Sequence, residues 1–352
     1  MSELALPDLV AAILAASLNA YVLFGGADFG GGVWDLLASG PRKARQRELI
    51  GEAIGPIWEA NHVWLILAIV LTFTCFPPVF ARLGIVLHIP LTLMLVGIVL
   101  RGSAFTFRSY DSDHDAAQLR WGRIFSSASV LTPLLLGVSL GAIAAGRVGG
   151  ELDGGFKDRF VDPWWNPFAI SVGCLTLALF AFLAAVYLTV ESRDRALADD
   201  FRRRALTSGV VVFVAAGAAL ILSLGGGAPL LPAGLLSSGW ALPLHLVTGA
   251  AALAALAALW FRRYRLARVA AAAQVSLILW GWALSQYPYL LPPRFTVHGS
   301  ASPPETLRLA VIALVCGGLI LAPSLVYLFK VFKSPPADEP RSSVGRADRE
   351  IS

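Results

Sequence analysis

Apolar residues run along this chain in long blocks, with polar and charged residues gathered into short clusters between them. Crossing the hydrocarbon core of a bilayer as a helix takes about 20 predominantly apolar residues. By that measure nine blocks qualify, at roughly 8–37, 54–76, 79–102, 124–146, 166–191, 206–226, 240–261, 266–289 and 306–332. The pattern predicts an all-α polytopic membrane protein of nine transmembrane helices. The first block is long enough to tilt, or to project beyond the bilayer on one side. Residues 1–333 read as a single transmembrane domain. Residues 334–352, SPPADEPRSSVGRADREIS, lack any apolar period and read as a disordered cytoplasmic tail. The longest connections, 103–123 and 147–165, are too short to house separate chemistry, and the WW pair at 164–165 is expected to anchor span five at the membrane interface.

The connections alternate in charge. Those after spans one, three, five and seven carry Arg42, Lys43, Arg45 and Arg47, then Arg108, Arg120 and Arg123, then Arg193, Arg195 and Arg202 to Arg204, then Arg262, Arg263, Arg265 and Arg268. The connections between them are poor in basic residues or offset by acids, as at Glu151, Asp153, Asp158 and Asp162. The positive-inside rule then predicts an outward N-terminus and a cytoplasmic C-terminus.

Composition agrees with this class and narrows the chemistry. Of 352 residues, 57% are hydrophobic and 14% charged, and the mean hydropathy is +0.69. The net charge of +5 lies in loops between apolar spans, without a basic stripe interleaved with aromatics, so nucleic acid is not expected as a partner. Cys75, Cys174 and Cys316 each stand alone in apolar runs. That spacing excludes zinc ribbons, iron–sulfur clusters and covalently attached haem, and no metal site is expected. The N-terminal MSELALPDLV has acids and no Lys or Arg, so the first apolar run is expected to be a retained helix rather than a secretory signal.

Ionisable groups at membrane depth cost on the order of 2.5–3.5 kcal/mol each to insert, and they mark polar interiors. The stretch GGADFGGGVWD, residues 25–35, places Asp28 and Asp35 one heptad apart on one helical face, with five glycines around Asp28. A packing seam with Asp35 snorkelling to the interface is the alternative there. The stretch IGPIWEANHVWLI, residues 54–66, places Glu59, Asn61 and His62 between Trp58 and Trp64. Pro56 suits a helix start, and Glu59 could complement the dipole of that helix end. One acid at a terminus does not account for three polar residues. By the predicted topology Asp28 and Glu59 both lie toward the cytoplasmic side, which suggests a proton entrance from the cytoplasm. Arg101 either snorkels from span three or pairs with one of those acids. His88 and His245 stand alone in apolar runs. Each could be an axial haem ligand, or could bond a carbonyl freed near a proline, as Pro90 beside His88 suggests.

These residues carry a resemblance. A glycine-flanked acid in the first helix, Asp28, followed by the second-helix run Pro56, Trp58, Glu59, Asn61, Val63 and Trp64, resembles subunit II of the cytochrome bd quinol oxidases, including the cyanide-insensitive branch. Arg101 followed by FTFRS at 105–109, and SQYPYLLPP at 285–293, are similar to further family features. The resemblance implies two four-helix bundles plus one peripheral helix in a bacterial cytoplasmic membrane. It implies a haem-free subunit of an electrogenic, non-pumping quinol:oxygen oxidoreductase, with haem b and haem d in the partner subunit I and quinol as substrate. Small single-helix accessory subunits, and a structural quinone or lipid on this chain, are further expectations. Asp28, Glu59, Asn61 and Arg101 would form the proton pathway, and Trp58 and Trp64 would line an oxygen route or serve packing.

The sequence departs from the family pattern at Gly25, where many relatives carry an acid, in WGRIFSS at the start of span four, and at His62, where others carry glutamine. Two other readings stay open. One is a haem-binding membrane subunit using His88 or His245. The other is a proton-coupled transporter, against which the glycine-rich break of span one has no counterpart in the second half.

Overall fold

The computed structural model describes residues 5–55, 58–110, 115–151 and 153–333. Pro56 and the 334–352 tail, both given roles above, lie outside the described residues. Among the described residues, nine helices are long and apolar enough to cross a membrane. The helices in chain order are α1 (Leu6–Leu36), α2 (Lys43–Ile54), α3 (Trp58–Asn61), α4 (Val63–Cys75), α5 (Pro77–Val86), α6 (His88–Tyr110), α7 (Asp115–Ala144) and α8 (Phe156–Phe160). They continue as α9 (Pro167–Glu191), α10 (Arg195–Leu222), α11 (Leu230–Pro232), α12 (Ala241–Trp260), α13 (Tyr264–Gln286) and α14 (Pro304–Lys333). A short antiparallel pair, β1 (Tyr289–Leu291) and β2 (Phe295–Thr296), follows α13.

Three boundaries differ from the sequence reading. The apolar block 79–102 is two helices, α5 and α6, broken at Leu87. Pro90 has no N–H to offer the preceding turn, so a continuous helix would lose a bond there, and the proline sits instead in the first turn of α6, where it costs little. Helix α10 begins at Arg195, eleven residues before its apolar block, because Asp194 caps it by accepting from the Ala196 N–H at 2.9 Å. The connection read as 103–123 is helical on both sides of residues 111–114, which themselves lie outside the described residues.

The chain divides into two compact units, Met1–Val311 and Ile312–Ser352. In the first unit α9 packs against α1, α7, α10 and α13, α6 packs along α7, and α12 along α13. Asn166 starts α9 by accepting from the Ala169 N–H at 2.9 Å, with Pro167 at the first position. The α1–α9 contact is close because Gly30 has no side chain: a Cβ there would lie 1.9 Å from the Phe180 carbonyl oxygen. Trp34 Nε1 donates to the Ala181 carbonyl at 2.7 Å across the same seam. Just before α2, Arg42 makes two bonds to Asp200, at 2.8 and 2.6 Å. The bond to Asp200 raises the pKa of the Arg42 guanidinium above its usual value. Buried Gln46 joins this group, donating to Asp200 at 3.1 Å and accepting from Arg204 at 2.7 Å, so α2 is tied to α10. In the second unit α14 exposes Ile312, Val315, Leu319, Ile320 and Val326, all apolar.

Candidate functional site

Three of the polar residues singled out in the sequence converge. Asp28, Asn61 and Arg101 are 5%, 3% and 2% exposed, respectively. Asn61 closes the four-residue helix α3, and its Nδ2 donates to Asp28 Oδ2 at 2.6 Å, joining the first two spans. Arg101 comes from α6. Its guanidinium lies 4.7 Å from the Phe29 ring centroid and 5.1 Å from that of Phe125, and its Nε donates to Ser129 Oγ at 3.1 Å. Asp28 is close enough to Arg101 to interact with it electrostatically. Arg101 therefore does not snorkel. It is held between two aromatic faces, where a planar, weakly hydrated cation fits and a hydrated ammonium does not. Its Nη2 has no hydrogen-bond partner among the described residues.

The glycines of α1 make this convergence possible. At Gly32 a Cβ would meet Ser129 Cβ and Oγ at 2.2 Å, so α7 reaches the backbone of α1 directly. Asp35, next on the same face, is 1% exposed and does not snorkel either. Ser126 Oγ donates to its Oδ2 at 2.7 Å, and Arg47 Nε lies 3.7 Å from its Oδ1. The two serines were not identified in the sequence. Their signal was their spacing of three on α7, in the SSAS run 126–129.

Of the remaining candidates, His62 and Trp58 border this cluster through Phe29 and Gly102, and the others lie apart from it. Glu59 lies on α3 but is exposed, and it meets His62 only through the backbone, its carbonyl accepting from the His62 N–H at 3.2 Å. His62 turns its Nδ1 to the Trp58 carbonyl at 2.9 Å, and its ring meets the edges of Tyr21 and Phe29. Trp58 lies against Phe105 with ring centroids 6.3 Å apart, and Trp64 stacks on Phe24 at 6.5 Å. Both tryptophans thus take part in aromatic packing.

A haem held between helices needs ring nitrogens converging on an enclosed slot. His88 and His245 are exposed instead. His88 Nδ1 engages the Ile85 carbonyl at 2.9 Å, at the break before α6, and its ring meets Phe160 edge-on at 5.1 Å. His245 Nε2 engages the Leu235 carbonyl at 2.7 Å. Both rings cap backbone, and the pair does not fit an enclosed haem slot within this chain.

Comparison with known proteins adds a family to this geometry. The family profile described as "Cytochrome bd terminal oxidase subunit II" matches residues 6–332. The chain is 29% identical over 219 residues to the cytochrome bd ubiquinol oxidase subunit 2 of Bacillus subtilis, covering 62% of this chain and 63% of that protein. It is 25% identical over 158 residues to the cytochrome bd-I ubiquinol oxidase subunit 2 of Escherichia coli, covering 43% and 40%. The alignments thus span less than two thirds of either relative. In fold it is similar to the bd oxidase structure from Geobacillus thermodenitrificans, with a TM-score of 0.72 and 21% identity, over 93% of this chain and 98% of that one.

Proposed function

Because the chain belongs to the cytochrome bd terminal oxidase subunit II family, we propose that it is the haem-free second subunit of a bacterial quinol oxidase. It assembles with a larger subunit I that holds haem b and haem d, oxidises quinol and reduces oxygen to water. The nine apolar helices and the family match support a multi-pass place in the bacterial inner membrane. The alternating basic connections support an outward N-terminus, and the packing of α1 with α4 and α7, of α6 with α7, of α9 with α10 and of α12 with α13 supports two four-helix bundles plus one peripheral helix.

Within that complex the chain stabilises assembly and delivers cytoplasmic protons toward the oxygen site. The observation that carries this reading is the buried contact of Asp28 with Asn61, with Arg101 beside it. An acid, an amide and a guanidinium gathered at membrane depth on three helices cost more than packing alone would repay, and such clusters mark proton or ion paths. Glu59, exposed on this chain two residues before Asn61, would face the partner or the cytoplasm. Trp64 and its apolar neighbours offer oxygen a passage, and the exposed apolar faces accept lipid, quinone or small single-helix partners.

The test is purification of the assembled complex followed by a reduced-minus-oxidised spectrum, before and after this chain is separated. A co-purifying larger subunit that retains all the haem is the expected result. A chain that purifies alone and colourless would turn the reading to a proton-coupled transporter. One that purifies alone and red would make His88 and His245 its ligands.

A further inference from the structure

We propose that protons reach the Asp28 cluster from Asp35, along the serine face of α7, by an entrance separate from Glu59. The inference rests on the proton-delivery reading above and names the route that serves it.

Asp28 and Asp35 of α1 lie on one face, one heptad apart, and the helix between them is bare at Gly32. Ser129 fills that space. Ser126, three residues earlier on α7, lies on the same face and bonds Asp35 at 2.7 Å, while Ser129 accepts from Arg101 at 3.1 Å. Asp35, Ser126, Ser129, Arg101, Asp28 and Asn61 thus succeed one another from α2 toward α3, each 5% exposed or less. The Asp35 end is covered by a side chain that reaches the surface. There Arg47, whose side chain is 30% exposed, covers Asp35 from 3.7 Å and donates to its carbonyl oxygen at 3.3 Å.

The chemistry of the members suits transfer. A serine hydroxyl donates and accepts at once, so it can release its own proton as it takes another and is left unchanged. Ser126 has two acceptors in reach, Asp35 at 2.7 Å and the Gly122 carbonyl at 2.9 Å, between which its hydroxyl can turn. Neighbours at this spacing on a helix lie about 5–6 Å apart, a step that one bridging water covers. Asp35 takes a proton as Arg47 swings aside and gives it to Ser126, bridging water carries the transfer on to Ser129 and past the charged Arg101, each hydroxyl releasing one proton as it takes another, and Asp28 receives it. Arg47 and Arg101 keep their charges throughout and offset the two carboxylates when these are ionised. Glu59, by contrast, is exposed and has no bond into the cluster among the described residues.

The experiment is single-turnover proton uptake by the purified, assembled complex, read with a pH-indicating dye, in parallel with its haem content. Asp35→Asn should slow uptake at least about tenfold at unchanged haem content. Asp35→Glu, which keeps a titratable group, should recover most of the rate, and Ser126→Ala should slow uptake several-fold. A purely structural Asp35 would lower haem content or yield without changing uptake per haem, and that result overturns the proposal. So does native uptake in Asp35→Asn beside slow uptake in Asp28→Asn, or slow uptake confined to Glu59→Gln. Native uptake in Asp28→Asn as well would sink the proton-delivery reading itself. If Asp35→Asn does not assemble, Ser126→Ala decides, and native uptake there overturns the route.

Discussion

Asn61 Nδ2 stands 2.6 Å from Asp28 Oδ2, and this bond ties the short helix α3 to the last third of α1. Removing the amide would leave a buried carboxylate without one of its donors, at a cost of about 1–3 kcal/mol. Asn61→Ala should therefore lower both the unfolding temperature of the assembled complex and its turnover. Asn61→Gln, which can keep the bond only by shifting, should fall between. Thermal unfolding and oxygen consumption measured on the same preparations check this.

Arg101 sits between Phe29 and Phe125 with Asp28 beside it. Breaking a buried pair by removing one partner typically costs about 3–5 kcal/mol. Arg101→Ala is expected to abolish assembly. Arg101→Lys keeps the charge but loses the flat face and the fork, so it should assemble with a lowered unfolding temperature and reduced turnover. The yield of haem-containing complex separates the two variants.

A methyl group at Gly30 would overlap the Phe180 carbonyl, whereas one at Gly51 meets nothing within 4 Å. Gly30→Ala should push α1 from α9 at a cost of about 1–3 kcal/mol or more, and Gly51→Ala should be silent. Complex yield and unfolding temperature are the readouts, with the second variant as the control.

His88 and His245 each spend a ring nitrogen on a backbone carbonyl. The double variant His88→Ala, His245→Ala should leave the haem spectrum of the complex unchanged and lower its stability slightly. A lost haem band would restore the haem-binding alternative.

The nine spans were legible because hydrocarbon thickness imposes a length that composition alone reveals. The break at Leu87 was not, because the residues on both sides are apolar and only Pro90 hints at it. The start of α10 was hidden for the opposite reason: Arg195 to Arg204 is a polar helix, held by Asp194 and by the Arg42–Asp200 bond, to which hydropathy is blind. Asp28, Asn61 and Arg101 were found because polar residues in apolar blocks are conspicuous. Whether they touch depends on packing, and so Glu59, equally conspicuous, lies outside the cluster. The partner of Asp35 is 91 residues away on α7, brought close by a glycine face that a single sequence displays without saying what fills it.

The central claim, that this subunit carries protons through Asp28, is tested most directly by the turnover of Asp28→Asn in the assembled complex. The substitution keeps the size of the side chain and removes the titratable group. Oxygen consumption at least about tenfold lower, with haem content and subunit I retained, is the predicted result. Native turnover in a fully assembled Asp28→Asn complex would contradict the account.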